Sequence, residues 1–177
     1  NGPVDFHIDP YLNQDKVNNP TTIERINYNS DGGFFQSDKA FGTDAEIILS
    51  FRVYNYSVQN RFRLGITSYS INAEYVITVD HFDFENGKYR MYSSNPPDWT
   101  DYRTFTNQET FYIYKKKYVV EFYQSTQKRM TVPIDNSQTY KFVGVIYTLD
   151  TRITDLQYST MSLSPPPSLP PSPPPSP

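Results

Sequence analysis

Ten short runs dense in Val, Ile, Thr, Tyr and Phe follow one another at 33–36, 46–54, 62–68, 75–84, 88–93, 110–114, 118–124, 128–132, 139–147 and 153–158. Runs this short cannot bury a face alone, so they must pair into sheets that pack on each other. The alternation is clearest in Glu46-Ile47-Ile48-Leu49-Ser50-Phe51-Arg52-Val53. There Ile47, Leu49, Phe51 and Val53 share one parity and are expected to face the core. Asp31-Gly32-Gly33, Glu85-Asn86-Gly87-Lys88 and Lys115-Lys116-Lys117 adjoin or separate these runs as hairpin turns would. No segment repeats at a fixed period, which argues against propellers and solenoids. The pattern predicts an all-β, two-sheet antiparallel β-sandwich of jelly-roll type.

Composition agrees. Residues that suit pleated surfaces outnumber Ala, Leu and Met about fivefold, which disfavours a helical bundle. Tyr 16, Phe 12 and Trp 1 supply enough buried area for a core without staples. Cysteine is absent, so disulfides, thiolate metal sites and thiol nucleophiles are excluded. A net charge of -3 offers no basic excess for a nucleic-acid backbone, and no apolar run has bilayer-spanning length. The chain opens at Asn1 without Met and reads as a piece of something longer. Residues 1–30, rich in Pro, Asn and Asp, are expected to be irregular or weakly extended and to pack on the body's edge; 31–163 form the sandwich, and 164–177 a proline-rich linker or stalk.

A series of segments between Ala45 and Tyr158 resembles the concanavalin A-like lectin/glucanase sandwich, particularly the laminin-G and SPRY-like modules of surface proteins from large algal viruses and protists. The series runs Phe62-Arg63-Leu64-Gly65-Ile66-Thr67, Tyr75-Val76-Ile77-Thr78-Val79-Asp80, Asn86-Gly87-Lys88-Tyr89, Tyr118-Val119-Val120-Glu121-Phe122-Tyr123, Tyr140-Lys141-Phe142-Val143-Gly144-Val145 and Ile153-Thr154-Asp155-Leu156. The resemblance implies two curved antiparallel sheets with a ligand on the concave face or on loops at one end. Fold alone does not decide among lectin, glycosidase and structural module.

Retaining glycosidases of this fold place two carboxylates on one strand about 5 Å apart. The nearest segment, Asp80-His81-Phe82-Asp83-Phe84-Glu85, lacks their spacing. Its Phe82 and Phe84 predict a core-facing side with Asp80, leaving His81, Asp83 and Glu85 in solvent, so no catalytic residue is assigned. The same trio has the donors of a cation site, but Thr78 stands where legume lectins carry a first acid, and no metal or cofactor is assigned. A solvated strand end is the plainer reading.

Asn95-Pro96-Pro97-Asp98-Trp99-Thr100-Asp101-Tyr102 holds the single tryptophan in a proline-stiffened stretch read as a loop. An aromatic face packs on the apolar side of a pyranose while amide and carboxylate oxygens accept its hydroxyl hydrogens. Asn95, Asp98, Trp99, Asp101 and Tyr102 are therefore the expected carbohydrate contacts, against the alternative that Trp99 merely plugs the core. Lys115, Lys116, Lys117, Lys128 and Arg129 read either as a basic patch for an anionic glycan or as solvated turns. Tyr112, Tyr114, Tyr118 and Tyr123 read as a paratope-like surface or as packing. Asn55-Tyr56-Ser57 is a glycosylation sequon.

Segment 164–177 holds most of the 15 prolines and should run as polyproline II. Its Ser-Pro-Pro-Pro pattern resembles the stalks of plant and algal cell-wall glycoproteins. The expected function is a non-catalytic, lectin-like domain that recognises a cell-surface or cell-wall glycan, placed extracellularly, in a cell wall or on a virion. A protein partner for the tail is a further expectation. The alternative is an assembly module of a capsid, wall or fibre, using tyrosine-rich faces and the tail.

Overall fold

A computed structural model describes residues 2–3, 5–42, 44–53, 60–68, 80–160 and 174–175, and among these there is no helix. In chain order the strands are β1 (Gly2–Pro3), β2 (Phe6–Ile8), β3 (Leu12–Asp15), β4 (Asn19–Arg25), β5 (Gly33–Ser37), β6 (Ile47–Val53), β7 (Arg61–Thr67) and β8 (Asp80–Glu85). There follow β9 (Lys88–Ser94), β10 (Pro97–Trp99), β11 (Arg103–Thr104), β12 (Glu109–Lys115), β13 (Val119–Gln124), β14 (Gln127–Pro133), β15 (Lys141–Ile146) and β16 (Arg152–Ser159). The first sheet runs β14-β13-β12-β6-β16-β4-β3, with β1 also on β16; the second runs β10-β9-β8-β7-β15-β5-β2, with β11 also on β9. Pairing is antiparallel throughout.

One aromatic core joins the sheets. Ile47, Leu49, Phe51 and Val53 are buried in it, as their shared parity requires. The Phe51 ring lies 5.9 Å from Phe111 in its own sheet and 5.8 Å from Phe82 in the other, and Phe62 stacks on Phe84 at 4.6 Å. Each buried phenylalanine contributes about 1.5–3 kcal/mol by leaving water. On the core side of β15, a Cβ on Gly144 would stand 2.2 Å from the Phe35 ring, so only glycine lets that ring approach the strand so closely. The β8–β9 hairpin closes through Asn86 and Gly87, whose φ of 55° and 72° suit the turn that matches strand twist.

All ten expected runs contain strands, with ends shifted by a residue or two and the 75–84 run described only from Asp80. Residues 75–79 with Thr78, the Asn55 sequon and all of 164–177 except Pro174 and Pro175 lie outside the described residues. Three local expectations are corrected. Most of the described residues in 1–30 are strand rather than irregular: β2 edges the second sheet, β3 and β4 edge the first, and β1 pairs with β16. Their polar residues are tolerated because edge strands meet water on one flank. The Asn95 to Tyr102 stretch is not all loop, because Pro97–Trp99 pairs with β9 as an edge strand, where proline's missing donor costs nothing. His81 and Asp83 are not solvated but fully buried, since the outer face of β8 is itself covered by side chains.

Candidate functional site

The covering layer is a network of charged and aromatic side chains. Antiparallel register aligns Arg63 of β7, Asp83 of β8 and Arg90 of β9 in one row across the second sheet. The next row holds Gly65, His81, Tyr92 and Trp99. Because Phe82, Phe84, Tyr89 and Met91 take the opposite parity into the core, every residue of these two rows points outward.

Asp83 is the hub. Its Oδ1 accepts from Nε of Arg63 at 3.2 Å and its Oδ2 from Nε of Arg90 at 3.3 Å. Each guanidinium also lies against aromatic rings. Arg90 sits 3.8 Å from the Trp99 ring centre and 4.7 Å from that of Tyr102. Arg63 lies 5.6 Å from Trp99 and 5.7 Å from Tyr147, and Arg61 lies 4.6 Å from Tyr147. The result is a ladder in the order Arg61, Tyr147, Arg63, Trp99, Arg90, Tyr102. Cations over ring faces gain about 0.5–2 kcal/mol each, more where water is excluded.

His81 stacks on Tyr92 at 5.6 Å and meets Trp99 edge-on at 5.4 Å, which locks the indole from below. This packing depends on Gly65, where a Cβ would fall 2.1 Å from the Asp80 carbonyl oxygen and 2.5 Å from His81 Cβ. Two guanidinium atoms in the ladder are buried without a hydrogen-bond partner among the described residues, Nη1 of Arg63 and Nε of Arg61, the latter 3.8 Å from Glu85 Oε2. Burial pushes the phenols of Tyr147 and Tyr102 above their usual value, only partly offset by nearby arginines, so both stay neutral donors at ordinary pH.

The five expected sugar contacts divide. Trp99 is half-buried and Tyr102 is 45% exposed, and Arg90 brings them together. Asp98, Asp101 and Asn95 are exposed. Asp98 pairs with Ser93, opposite in parity to the Trp99–Tyr92 pair, so it leaves the sheet on the other side. Its Oδ1 accepts the Trp99 backbone N–H at 2.8 Å. Asp101 accepts the Thr100 hydroxyl through its carbonyl at 3.2 Å, and Asn95 donates its N–H to Ser93 Oγ at 3.3 Å. The acids thus shape the edge strand, and the polar groups beside the indole are arginines. Sequence reading missed Arg61, Arg63, Arg90 and Tyr147. The available signal was arginine at outward parity between core residues, in Phe62-Arg63-Leu64 and Tyr89-Arg90-Met91.

The basic patch does not form. Lys115 is buried, with Nζ donating to the Ala45 carbonyl at 2.9 Å and lying 5.8 Å from the Tyr140 ring centre. Burial lowers its pKa against the pull of Asp44 and Glu46. Lys116 and Lys128 both serve Glu121, at 2.9 and 3.3 Å, Lys117 pairs with Asp44 at 3.5 Å, and Arg129 donates to Gln124. Of the four tyrosines, Tyr114 is buried and bonded to Glu46, Tyr123 donates to Glu121, Tyr112 pairs across from Tyr123, and Tyr118 is exposed. Among the described residues no three His, Asp or Glu side chains are grouped as a metal ion requires.

Two antiparallel sheets packed through one core, with a structured outer face on the second, define an all-β sandwich of jelly-roll type. Solved structures agree on that class. A human SPRY domain superposes with a TM-score of 0.59 at 9% identity, covering 90% of this chain and 99% of its own. The carbohydrate-binding module CBM66 from Bacillus subtilis gives 0.52 at 6% identity, covering 88% and 96%. A polysaccharide lyase of family 18 gives 0.52 at 11%, covering 87% and 93%. No family model matches the sequence, and no curated protein is similar to it in sequence.

Proposed function

We propose that the chain is a non-catalytic, lectin-like carbohydrate-binding domain that reads a cell-surface or cell-wall glycan through the outer face of its second sheet. The observation that carries this reading is the ladder: Trp99 and Tyr102 are partly open, yet Arg90 and His81 hold them in place. A sugar meets rings and donors already ordered, so binding costs little side-chain entropy. Arg90 occupies one face of the indole, so the pyranose packs on the Tyr102 ring and the open edge of Trp99, with arginine N–H groups donating to its hydroxyls. The fold likeness to a carbohydrate-binding module supports the class, as does the absence of a paired-carboxylate spacing in the sequence. An extracellular, cell-wall or virion setting, with 164–177 as a stalk, completes the proposal. On a glycan array the protein should retain at least one saccharide, and Trp99→Ala should lose it while melting as a folded domain. No bound glycan, or unchanged binding by the variant, refutes the site.

A second reading, protein contact in an assembly, rests on a different rim. Buried Arg25 donates to the carbonyls of Asn27, Ile146, Tyr147 and Asn29, pinning a loop on which Ile26 and Tyr28 are 49% and 75% exposed. Leu149, beside the Arg25–Asp150 backbone bond, is 46% exposed. If this rim assembles, sedimentation should show an oligomer that Ile26→Ser with Leu149→Ser dissolves.

A further inference from the structure

The ladder's charge is uneven along its length. At the Arg90 end, Asp83 and two aromatic rings surround the guanidinium. At the Tyr147 end two arginines, Arg61 and Arg63, flank one ring, and each keeps a buried N–H that no described acceptor meets. Asp83 engages only the Nε of Arg63, and Glu85 stands 3.8 Å from Arg61, beyond a hydrogen bond. The Arg63 side chain is 7% exposed. A buried cationic donor left unmet is expensive and is retained where something supplies its acceptor. Three arginines against Asp83 and Glu85 leave the face one positive charge in excess, on a chain whose net charge is -3.

We propose that the Tyr147 end of the ladder is a carboxylate subsite, so that the saccharide this face takes is acidic, a uronate. The inference rests on the glycan-binding reading above and names its ligand class. A sugar carboxylate entering beside Tyr147 gives Arg61 and Arg63 the acceptor they lack. Guanidinium forks match the two oxygens of a carboxylate, where a lysine would offer only a point charge. The uncharged part of the saccharide then runs toward Trp99 and Tyr102 along the same row of side chains.

The test is calorimetry of the whole chain with galacturonate, glucuronate and mannuronate oligosaccharides, each against the same oligosaccharide reduced at its carboxyls. At least one uronate should bind about tenfold or more tighter than its reduced form, and that preference should shrink as salt rises. Arg61→Gln should erase the preference, uronate binding falling to the level of its reduced form. Arg63→Lys, whose charge still serves Asp83, should weaken uronate binding while the domain still melts cooperatively. Equal binding of uronate and reduced sugar overturns the carboxylate subsite and leaves the lectin reading standing. Binding of neither also overturns the carboxylate subsite, while the lectin reading stands or falls on the glycan array. An acidic peptide bound as tightly as the uronate also overturns the proposal, since charge alone would then suffice.

Discussion

Among the described residues, each sheet carries a buried acid on its outer face, Glu121 on the first and Asp83 on the second, and the two are used differently. On the first sheet Glu121 accepts from Lys116, Lys128 and the Tyr123 hydroxyl, and the cluster is closed on itself. On the second sheet Asp83 holds two arginines by their Nε atoms only, and their flat heads lie on aromatic rings. Lysine spends its single charge on one partner, whereas arginine can be held by one edge and still offer donors at another. The first arrangement stabilises a face; the second stabilises a face and leaves it chemically open.

Removing each acid should break the comparison most sharply. Asp83→Ala strands two arginines in a covered layer and should cost about 3–5 kcal/mol. That corresponds to a fall of roughly 10 °C in melting temperature for a domain of this size, read by calorimetry. Glu121→Ala releases lysines that are 36% and 51% exposed and can turn to water, so about 1–2 kcal/mol is expected. Equal losses would mean that the second face is no more tightly built than the first.

A smaller effect separates the faces by pH. Burial opposes ionisation of Glu121, but the bonds from Lys116, Tyr123 and Lys128 outweigh it and hold the carboxyl below its usual 4.5. Its contribution is therefore present above pH 4.5 and lost as pH falls through the lower folded value. Tyr123 shifts the other way: burial, then its bond to Glu121, raises the phenol from 10.0 to about 12. Its contribution is intact below pH 10.0 and disappears as pH rises to about 12. Stability curves of Tyr123→Phe should lose part of the alkaline limb, the raised phenols of Tyr147 and Tyr102 keeping the rest, while Asp83 variants retain the Tyr123 share.

The strand runs were legible because a pleated chain writes its burial every second residue, and Phe51 or Phe82 cannot be placed wrongly without exposing a ring. The candidate site was half legible. Trp99 and Tyr102 stood out by type, yet their partners did not, because Arg63, Asp83 and Tyr147 are separated by 20 residues or more and meet only through register. Alternation also told correctly which side of β8 His81, Asp83 and Glu85 take, and told nothing about what would cover that side. Lys115 was missed for a similar reason: it sits on the core parity at a strand end, where the Ala45 carbonyl reaches its ammonium.

Sequence by itself determined an all-β sandwich, ten of its strand segments and the parity of its core, since these follow from local periodicity and turn chemistry. The tertiary structure decided that the outer face of the second sheet is an arginine and aromatic ladder rather than a solvated strand surface. The physical reason is that pairing across strands is non-local: which outward side chains become neighbours depends on strand order and register, and neither is encoded in the period of any single strand.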